Sequence, residues 1–189
     1  MNTILLVGIP GSGKSSILQE TVRQIPAISV VNYGDQMLEE AAVEGISRDF
    51  LRKMPFHEQR QIGIKAARKI VQQKTHQTAI IDTHALIRTN VGYCPGLPLE
   101  VLEILSPKAC AWIDCLPSVI LQRRVQDQIR VRDAETEEEL TMHQELTRSF
   151  LTACCMYTGA LLCRIPNTTS SIHHNVMPLI QLIRSIASS

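Results

Sequence analysis

The sequence has few aromatic residues, almost no net charge and no long apolar run, and each shortage excludes a class of protein. Aromatic residues make up 4% of the chain, too few for the stacking platforms that bind single-stranded nucleic acid. Lys+Arg 19 against Asp+Glu 18 leaves a formal net charge of +1, which argues against a nucleic-acid or membrane surface. We therefore expect any bound anion to be held by local geometry, with no nucleic acid as partner.

The cysteines show neither a CxxC pair nor the ligand spacing of a zinc site. They are Cys94, Cys110, Cys115, Cys154, Cys155 and Cys163. We interpret most of them as small apolar core residues in a reduced compartment rather than as a disulfide framework. The first residues lack the basic flank and the length of a signal peptide, and no apolar stretch reaches membrane-spanning length. The sequence therefore predicts a soluble, cytoplasmic protein with no membrane partner.

Short apolar runs alternate with longer helical patterns, and the 189 residues fit one compact domain. The runs show no polar alternation, as expected for parallel strands that are covered on both faces. The predicted strands are Thr3–Val7, Ile28–Val31, Thr78–Ile81, Ala109–Ile113 and Leu162–Ile165. This order predicts an α/β fold of the P-loop type, a three-layer sandwich in which helices cover both faces of a five-stranded parallel sheet.

Helices are predicted between these strands by apolar positions that recur every three or four residues. The main ones are Gly13–Ile25, His57–Gln73 and Thr136–Leu161. The longest begins with a capping box, Thr136 with Glu139. Its predicted buried stripe consists of Leu140, Leu146, Phe150, Cys154, Tyr157 and Leu161. A last helix turns Val176, Leu179, Ile180 and Ile183 inward, with Pro178 acceptable in its first turn.

The strongest motif is GIPGSGKS at residues 8–15, which matches the pattern GxxxxGK[ST]. It follows a predicted strand and opens a predicted helix, the context in which such a loop cradles phosphates with its amides. Lys14 is then expected to bridge the transferring phosphates, and the Ser15 hydroxyl to ligate magnesium. A glycine-rich turn that matches by chance is the alternative, which the flanking strand and helix disfavour.

A second element suits the same magnesium ion. The run Ala79–Asp82 is an apolar strand that ends in a carboxylate, as Walker B elements do. Asp82 could instead cap a following helix, and that alternative stays open at this point.

The acceptor of the phosphoryl group requires more than a phosphate-binding loop. The chain has neither the NKxD nor the DxxG element of GTP-binding switches. Polar and arginine residues follow the predicted strands instead, at the end of the sheet where ligands bind in such folds. Two regions that depart from simple strand–helix alternation, Tyr33–Pro55 and Arg123–Glu139, would emerge at that end.

Five stretches in order resemble archaeal-type adenylate kinases along the whole chain. They are GIPGSGKSS, NYGD with Met37 and Leu38 behind it, IIDTHALIRT, GYCPGLP and RVRD. The resemblance implies an Mg²⁺-dependent ATP:AMP phosphotransferase that makes two ADP. It also implies one P-loop kinase domain over 1–189, an AMP-binding insertion at about 33–60, a small lid at about 123–136, and a homotrimer.

The resemblance also assigns residues to roles. ATP is expected on Gly8, Ile9, Pro10, Gly11, Ser12, Gly13, Lys14, Ser15 and Ser16. AMP is expected on Tyr33, Gly34, Met37, Arg52, Thr83, His84, Arg88, Gly96, Leu97 and Pro98, with Arg88 on its phosphate. Catalytic charge is expected from Lys14, Arg88, Arg123, Arg130 and Arg132, and metal ligation from Ser15 and Asp82. Gln126 stands where lid sequences of this kind often carry an arginine, and Arg124 is the residue that could compensate.

Several of these residues have simpler interpretations. His84 could cap or pack, and Met37 with Leu38 could fill a short helix. Arg123–Asp133 could be a solvated helix face rather than a lid. The imidazoles of His143, His173 and His174 are expected at the surface. Residues 92–98 are too rich in turn formers for regular structure.

Two rival functions remain. One is a kinase with another acceptor, such as CMP or UMP. The other is a nucleotide-regulated binding protein, such as an RNA-processing or ribosome-assembly ATPase, which would hydrolyse ATP slowly without an acceptor.

Overall fold

Seven strands and eight helices form the described part of this computed structural model, which covers residues 2–73, 78–126, 135–168 and 171–188. The strands are β1 Asn2–Val7, β2 Ser29–Asn32, β3 Thr78–Thr83, β4 Leu86–Thr89, β5 Gly92–Pro95, β6 Ala109–Asp114 and β7 Leu161–Pro166. The helices are α1 Lys14–Gln24, α2 Tyr33–Val43, α3 Arg48–Lys53, α4 Phe56–Gln72, α5 Leu99–Leu105, α6 Pro117–Gln126, α7 Glu137–Thr158 and α8 Ile172–Ala187.

The five predicted strands form one parallel sheet in the order β2-β3-β1-β6-β7. Alternate residues of β1 face opposite layers, as the period of a strand requires. Leu5 packs with α4, α5 and α7 on one face, whereas Ile4 and Leu6 pack with α1 and α8 on the other. The predicted three-layer α/β sandwich is confirmed. No helix in the described residues is long and apolar enough to cross a membrane.

A hairpin outside the main sheet corrects the prediction for residues 92–98. Strand β5 pairs antiparallel with β4, from Leu86 opposite Pro95 to Thr89 opposite Gly92. Residues 92–95 form β5, which the prediction missed, whereas residues 96–98 are irregular as predicted. The hairpin turn itself is the two-residue connection at 90–91. Gly92 sits at φ 137°, a conformation that favours glycine.

The buried face of α7 differs from the predicted stripe. Its capping box, Thr136 with Glu139, is confirmed, but the helix ends before Gly159 and Leu161 belongs to β7. The buried positions are Leu140, His143, Thr147, Leu151, Cys154 and Cys155, whereas Leu146 and Tyr157 are exposed. The spacing of three and four was right, but two polar residues occupy the core face and shift it around the helix.

His143 is therefore not a surface residue, unlike His173 and His174, which are exposed as predicted. Only 4% of His143 is exposed, and its ring lies 4.8 Å from that of Tyr93 on β5. Burial lowers the pKa of this imidazole. The hairpin and α7 are thereby joined through a neutral aromatic contact.

The inward residues of α8 are confirmed, but the position of Pro178 is not. Val176, Leu179, Ile180 and Ile183 are all buried. Because α8 begins at Ile172, Pro178 lies inside the helix rather than in its first turn. A proline there removes one helical hydrogen bond.

Candidate functional site

The phosphate-binding loop connects β1 to α1 at the carboxyl end of the sheet. Its backbone turns through Gly11 at φ 95° and Gly13 at φ 88°, values that only glycine adopts at little cost. The Ser12 amide donates to the Ile9 carbonyl at 3.1 Å, which closes the turn. Gly13 then serves as the N-cap of α1, so the free amides of the first helical turn face the loop. This geometry suits a polyanion.

Lys14 is held at this end of the sheet by two contacts to β3. Its Nζ lies 2.6 Å from Asp82 Oδ1 and donates to the Thr83 carbonyl at 2.6 Å. Burial lowers the pKa of Lys14, and the Asp82 charge opposes that shift. Asn32 at the end of β2 donates to Asp82 Oδ2 at 3.0 Å, so the carboxylate has a partner on each side.

The position of Asp82 decides between the two interpretations of that residue. Asp82 lies within β3 and pairs in register with Leu6 of β1, two residues before the loop begins. The next element is strand β4 and not a helix, so Asp82 has no helix to cap. Its oxygens and the Ser15 hydroxyl are the hard donors that Mg²⁺ prefers, and the Lys14 contact brings both to one end of the sheet. The residues present therefore fit a magnesium ion.

His84 contacts the phosphate-binding loop. Its Nδ1 lies 2.9 Å from the Gly8 carbonyl oxygen. A carbonyl can only accept, so Nδ1 carries the proton in this contact. The surrounding protein desolvates the ring, and together with the Lys14 charge this lowers the pKa of His84 to about 4.

A pH dependence of stability follows from that shift. An unfolded histidine takes up its proton near pH 6.5, whereas folded His84 resists until about pH 4. The unfolded state binds more protons in that window, so the free energy of unfolding should fall as the pH falls from 6.5 to 4. The variant His84→Gln should lose less over the same interval in urea titrations at stepped pH. Equal pH profiles for the two proteins, or an imidazole that titrates near 6.5 by NMR, would contradict the assignment.

Two arginines at the end of α6 lie behind the loop. Arg123 Nη1 donates to the Ser12 carbonyl at 3.2 Å, and Arg124 donates to the Pro10 carbonyl through Nε at 3.0 Å and Nη2 at 2.7 Å. Arg124 also pairs with Glu135. The predicted catalytic residues Arg130 and Arg132 lie at 127–134, outside the described residues. They and the lid remain predictions.

Arg88 on β4 joins the loop to the hairpin through carboxylates. Its Nη1 lies 2.9 Å from Glu135 Oε1, and its Nη2 donates to Glu139 Oε1 at 2.7 Å. Glu135 thus bridges Arg88 and Arg124, and Arg124 contacts the loop. The planar guanidinium of Arg88 thus contacts two carboxylates. The same geometry would allow it to bind the oxygens of a phosphate in their place.

A cavity of about 550 Å³ is lined by residues of α2, α4, α5, α7 and the hairpin, among them Ile87, the neighbour of Arg88. The predicted acceptor residues that line it are Tyr33, Met37, Gly96, Leu97 and Pro98. The other predicted acceptor residues, namely Gly34, Arg52, Thr83, His84 and Arg88, are not part of this lining. Sequence reasoning missed the wall contributed by α4 and α7, which includes Gln59, Arg60, Gly63, Phe150, Cys154 and Tyr157.

Tyr33 is the buried polar group of this cavity. Its hydroxyl has no hydrogen-bond partner in the described residues, and burial raises its pKa, so it stays protonated. Gly63 on α4 faces this hydroxyl so closely that any side chain there would collide with it. The hydroxyl is therefore directed at α4 and not into the open space of the cavity, to which Tyr33 contributes its ring.

Comparisons with known proteins identify a family and its relatives. A family model for the AAA domain matches residues 7–141. An adenylate kinase of Thermococcus onnurineus is 42% identical over 167 residues, which cover 87% of this chain and 85% of that protein. An adenylate kinase of Methanopyrus kandleri is 38% identical over 187 residues, with 97% and 98% covered.

Solved structures with low identity support the fold alone. A shikimate kinase of Aquifex aeolicus superimposes with a TM-score of 0.58 at 18% identity, covering 99% of each chain. This likeness concerns the fold. It carries no information on the acceptor.

Proposed function

We propose that this chain, which belongs to the AAA-domain and adenylate kinase families, transfers the γ-phosphoryl group of ATP to AMP and forms two ADP. Its relatives make it a nucleoside monophosphate kinase, and the choice of AMP is our proposal. The observation that supports it most is the position of Arg88. This residue is linked to the phosphate-binding loop through Glu135 and Arg124, while its neighbour Ile87 lines the cavity.

Two anions can thus be held side by side, which is what this reaction requires. The loop amides and Lys14 would hold the ATP phosphates, and Arg88 would hold the AMP phosphate. That phosphate oxygen is already ionised, so no general base is needed, and catalysis rests on positioning and on cancelling charge. Ser15 and Asp82 would hold Mg²⁺, which neutralises charge on the phosphates when bound.

The cavity suits a nucleobase. Its walls are mostly apolar and aromatic, and Gln59 and Arg60 of α4 add polar side chains to the lining. A base of the wrong shape, or one that leaves polar groups of the site unpaired, would bind less well. The AMP-binding insertion at 33–60 supplies Tyr33 and Met37 to this wall. The insertion, the lid and the trimer are part of the proposal.

A coupled assay across acceptors tests the function. With ATP and magnesium in excess, we expect turnover with AMP to exceed that with CMP, UMP or GMP by at least about 10²-fold, the scale at which base recognition discriminates. ADP release without any acceptor should be far slower still, because water is a poor competitor in a site that orients a second phosphate.

The other outcomes are equally informative. Preference for a pyrimidine or for GMP would keep the kinase and reject AMP. ADP release at the same rate with and without acceptors would instead support an ATPase.

A further inference from the structure

Three alternate carbonyls of the phosphate-binding loop accept hydrogen bonds from side chains outside it. The Gly8 oxygen accepts from His84 and the Pro10 oxygen from Arg124. The Ser12 oxygen accepts from Asn167 Nδ2 at 2.6 Å and, at the longer distance of 3.2 Å, from Arg123 Nη1. These side chains come from different elements, so the loop is held from outside at every second peptide.

Holding a carbonyl also orients the amide of the next residue. A trans peptide is planar, and its C=O and N–H point in opposite directions. With the Ser12 oxygen turned toward Asn167, the Gly13 N–H points away from Asn167, toward the hollow of the loop. The Gly11 N–H is aimed in the same way by the contact between Arg124 and Pro10.

Asn167 is itself fixed by a second asparagine. It follows β7 directly, and its backbone amide donates to the Asp114 carbonyl at 2.7 Å. Because the Ser12 carbonyl can only accept, the side-chain nitrogen of Asn167 must face it. The Asn167 oxygen then accepts from Asn175 Nδ2 on α8 at 2.8 Å. Only 4% of Asn167 and 5% of Asn175 are exposed, so water does not compete for these bonds.

The contact with the loop is too close for any residue but glycine at position 13. A Cβ on Gly13 would collide with Asn167 Nδ2 and would come within 2.9 Å of Arg123 Nη1. The glycine therefore serves two purposes, a backbone with positive φ and an approach for the Asn167 amide.

We propose that Asn167, oriented by Asn175, is a positioning residue that aims the Gly13 amide at the donor phosphates. It acts through the Ser12–Gly13 peptide and not through the nucleoside. The inference rests on the proposed function only in placing the donor polyphosphate on this loop.

The test compares binding of two probes, ATP and inorganic tripolyphosphate, each as its magnesium complex. Asn167→Ala should weaken both by about ten-fold, the scale of one lost buried hydrogen bond. Asn175→Ala leaves Asn167 Nδ2 in place but removes the partner that fixes its orientation. It should therefore weaken binding of both probes by about three-fold, the low end of the range for one lost hydrogen bond. The KM for AMP should stay unchanged in both variants.

Ile183→Ala is the matched control, because it removes a buried side chain from the same helix as Asn175 without approaching the loop. It should lower the temperature of unfolding and leave both affinities unchanged.

A loss of affinity for ATP in Asn167→Ala with no loss for tripolyphosphate would show that Asn167 contacts the nucleoside, and would overturn the proposal. If Asn167→Ala weakened binding of ATP and AMP equally, or left the affinities like those of the control variant, Asn167 would have only a structural role. Failure of AMP as acceptor would leave these binding results intact, so the two proposals can be told apart.

Discussion

Replacing Lys14 with alanine is expected to lower kcat for phosphoryl transfer by at least about 10³-fold, the range found when a fixed charge is removed from such a reaction. The Lys14 side chain is only 11% exposed, so its charge acts where water screens little. The loss is double. The variant removes a cation from the transferring phosphates and leaves the Asp82 carboxylate without the ion pair that it makes at 2.6 Å. The measurement is the coupled rate at saturating ATP and acceptor.

Two further variants separate charge from packing. Lys14→Met keeps an apolar stem of similar length and should be as inactive as the alanine variant. Lys65→Ala removes an exposed lysine of α4 that pairs with Glu44, and it should leave kcat unchanged. If Lys14→Met retained kcat within about ten-fold of the parent, electrostatic stabilisation by Lys14 could not be the main catalytic term.

The main sheet could be predicted because each buried parallel strand is encoded by a short continuous segment of the sequence. Each predicted strand begins and ends within two residues of an observed one, because a short continuous apolar run such as Ala109–Ile113 is typical of a strand that is buried on both faces. The hairpin was missed because β4 and β5 pair only with each other and are largely exposed, so their sequence carries turn signals but no buried run. The face of α7 was misjudged because apolar residues were counted and polar core residues such as His143 were not.

The candidate site divides in the same way. The phosphate-binding loop and Asp82 are local motifs, and both could be predicted. The side chains that hold the loop come from far along the chain: His84 is 76 residues from Gly8, and Asn167 is 155 residues from Ser12. No local pattern encodes those contacts. Asn167 nevertheless carries a signal, because it is a polar residue directly after the last strand of the sheet, where ligand sites of such folds lie.

The walls of the cavity were harder to predict for a related reason. Gly63 and Cys154 read as ordinary helical residues, and only tertiary packing brings them to the acceptor side. Arg52, by contrast, was assigned to AMP by resemblance, and it lies outside the cavity lining in the described residues. Its role remains a prediction.

Arg88→Ala is expected to lower kcat/KM for AMP by about 10³-fold, because an arginine on a transferring or accepting phosphate contributes on that scale. ATP binding should be spared. Glu135 would still pair with Arg124, and Arg124 would still donate to the Pro10 carbonyl, so the loop keeps its outer support. Arg88→Lys should recover little, since one ammonium cannot replace a planar fork that now contacts both Glu135 and Glu139. The measurements are the KM for each nucleotide and the equilibrium affinity for ATP.

Arg148→Ala supplies the control for Arg88, because Arg148 is an exposed arginine on α7, the helix that carries Glu139. Its removal changes net charge equally and should leave both KM values unchanged. If Arg88→Ala weakened ATP binding and left AMP use intact, Arg88 would belong to the donor site. Arg88 and Arg124, which Glu135 links, would then both serve the donor nucleotide. The proposal that two nucleotides bind side by side would lose its support. If both affinities fell together, Arg88 would act by holding the hairpin against α7, and the acceptor phosphate would need another cation.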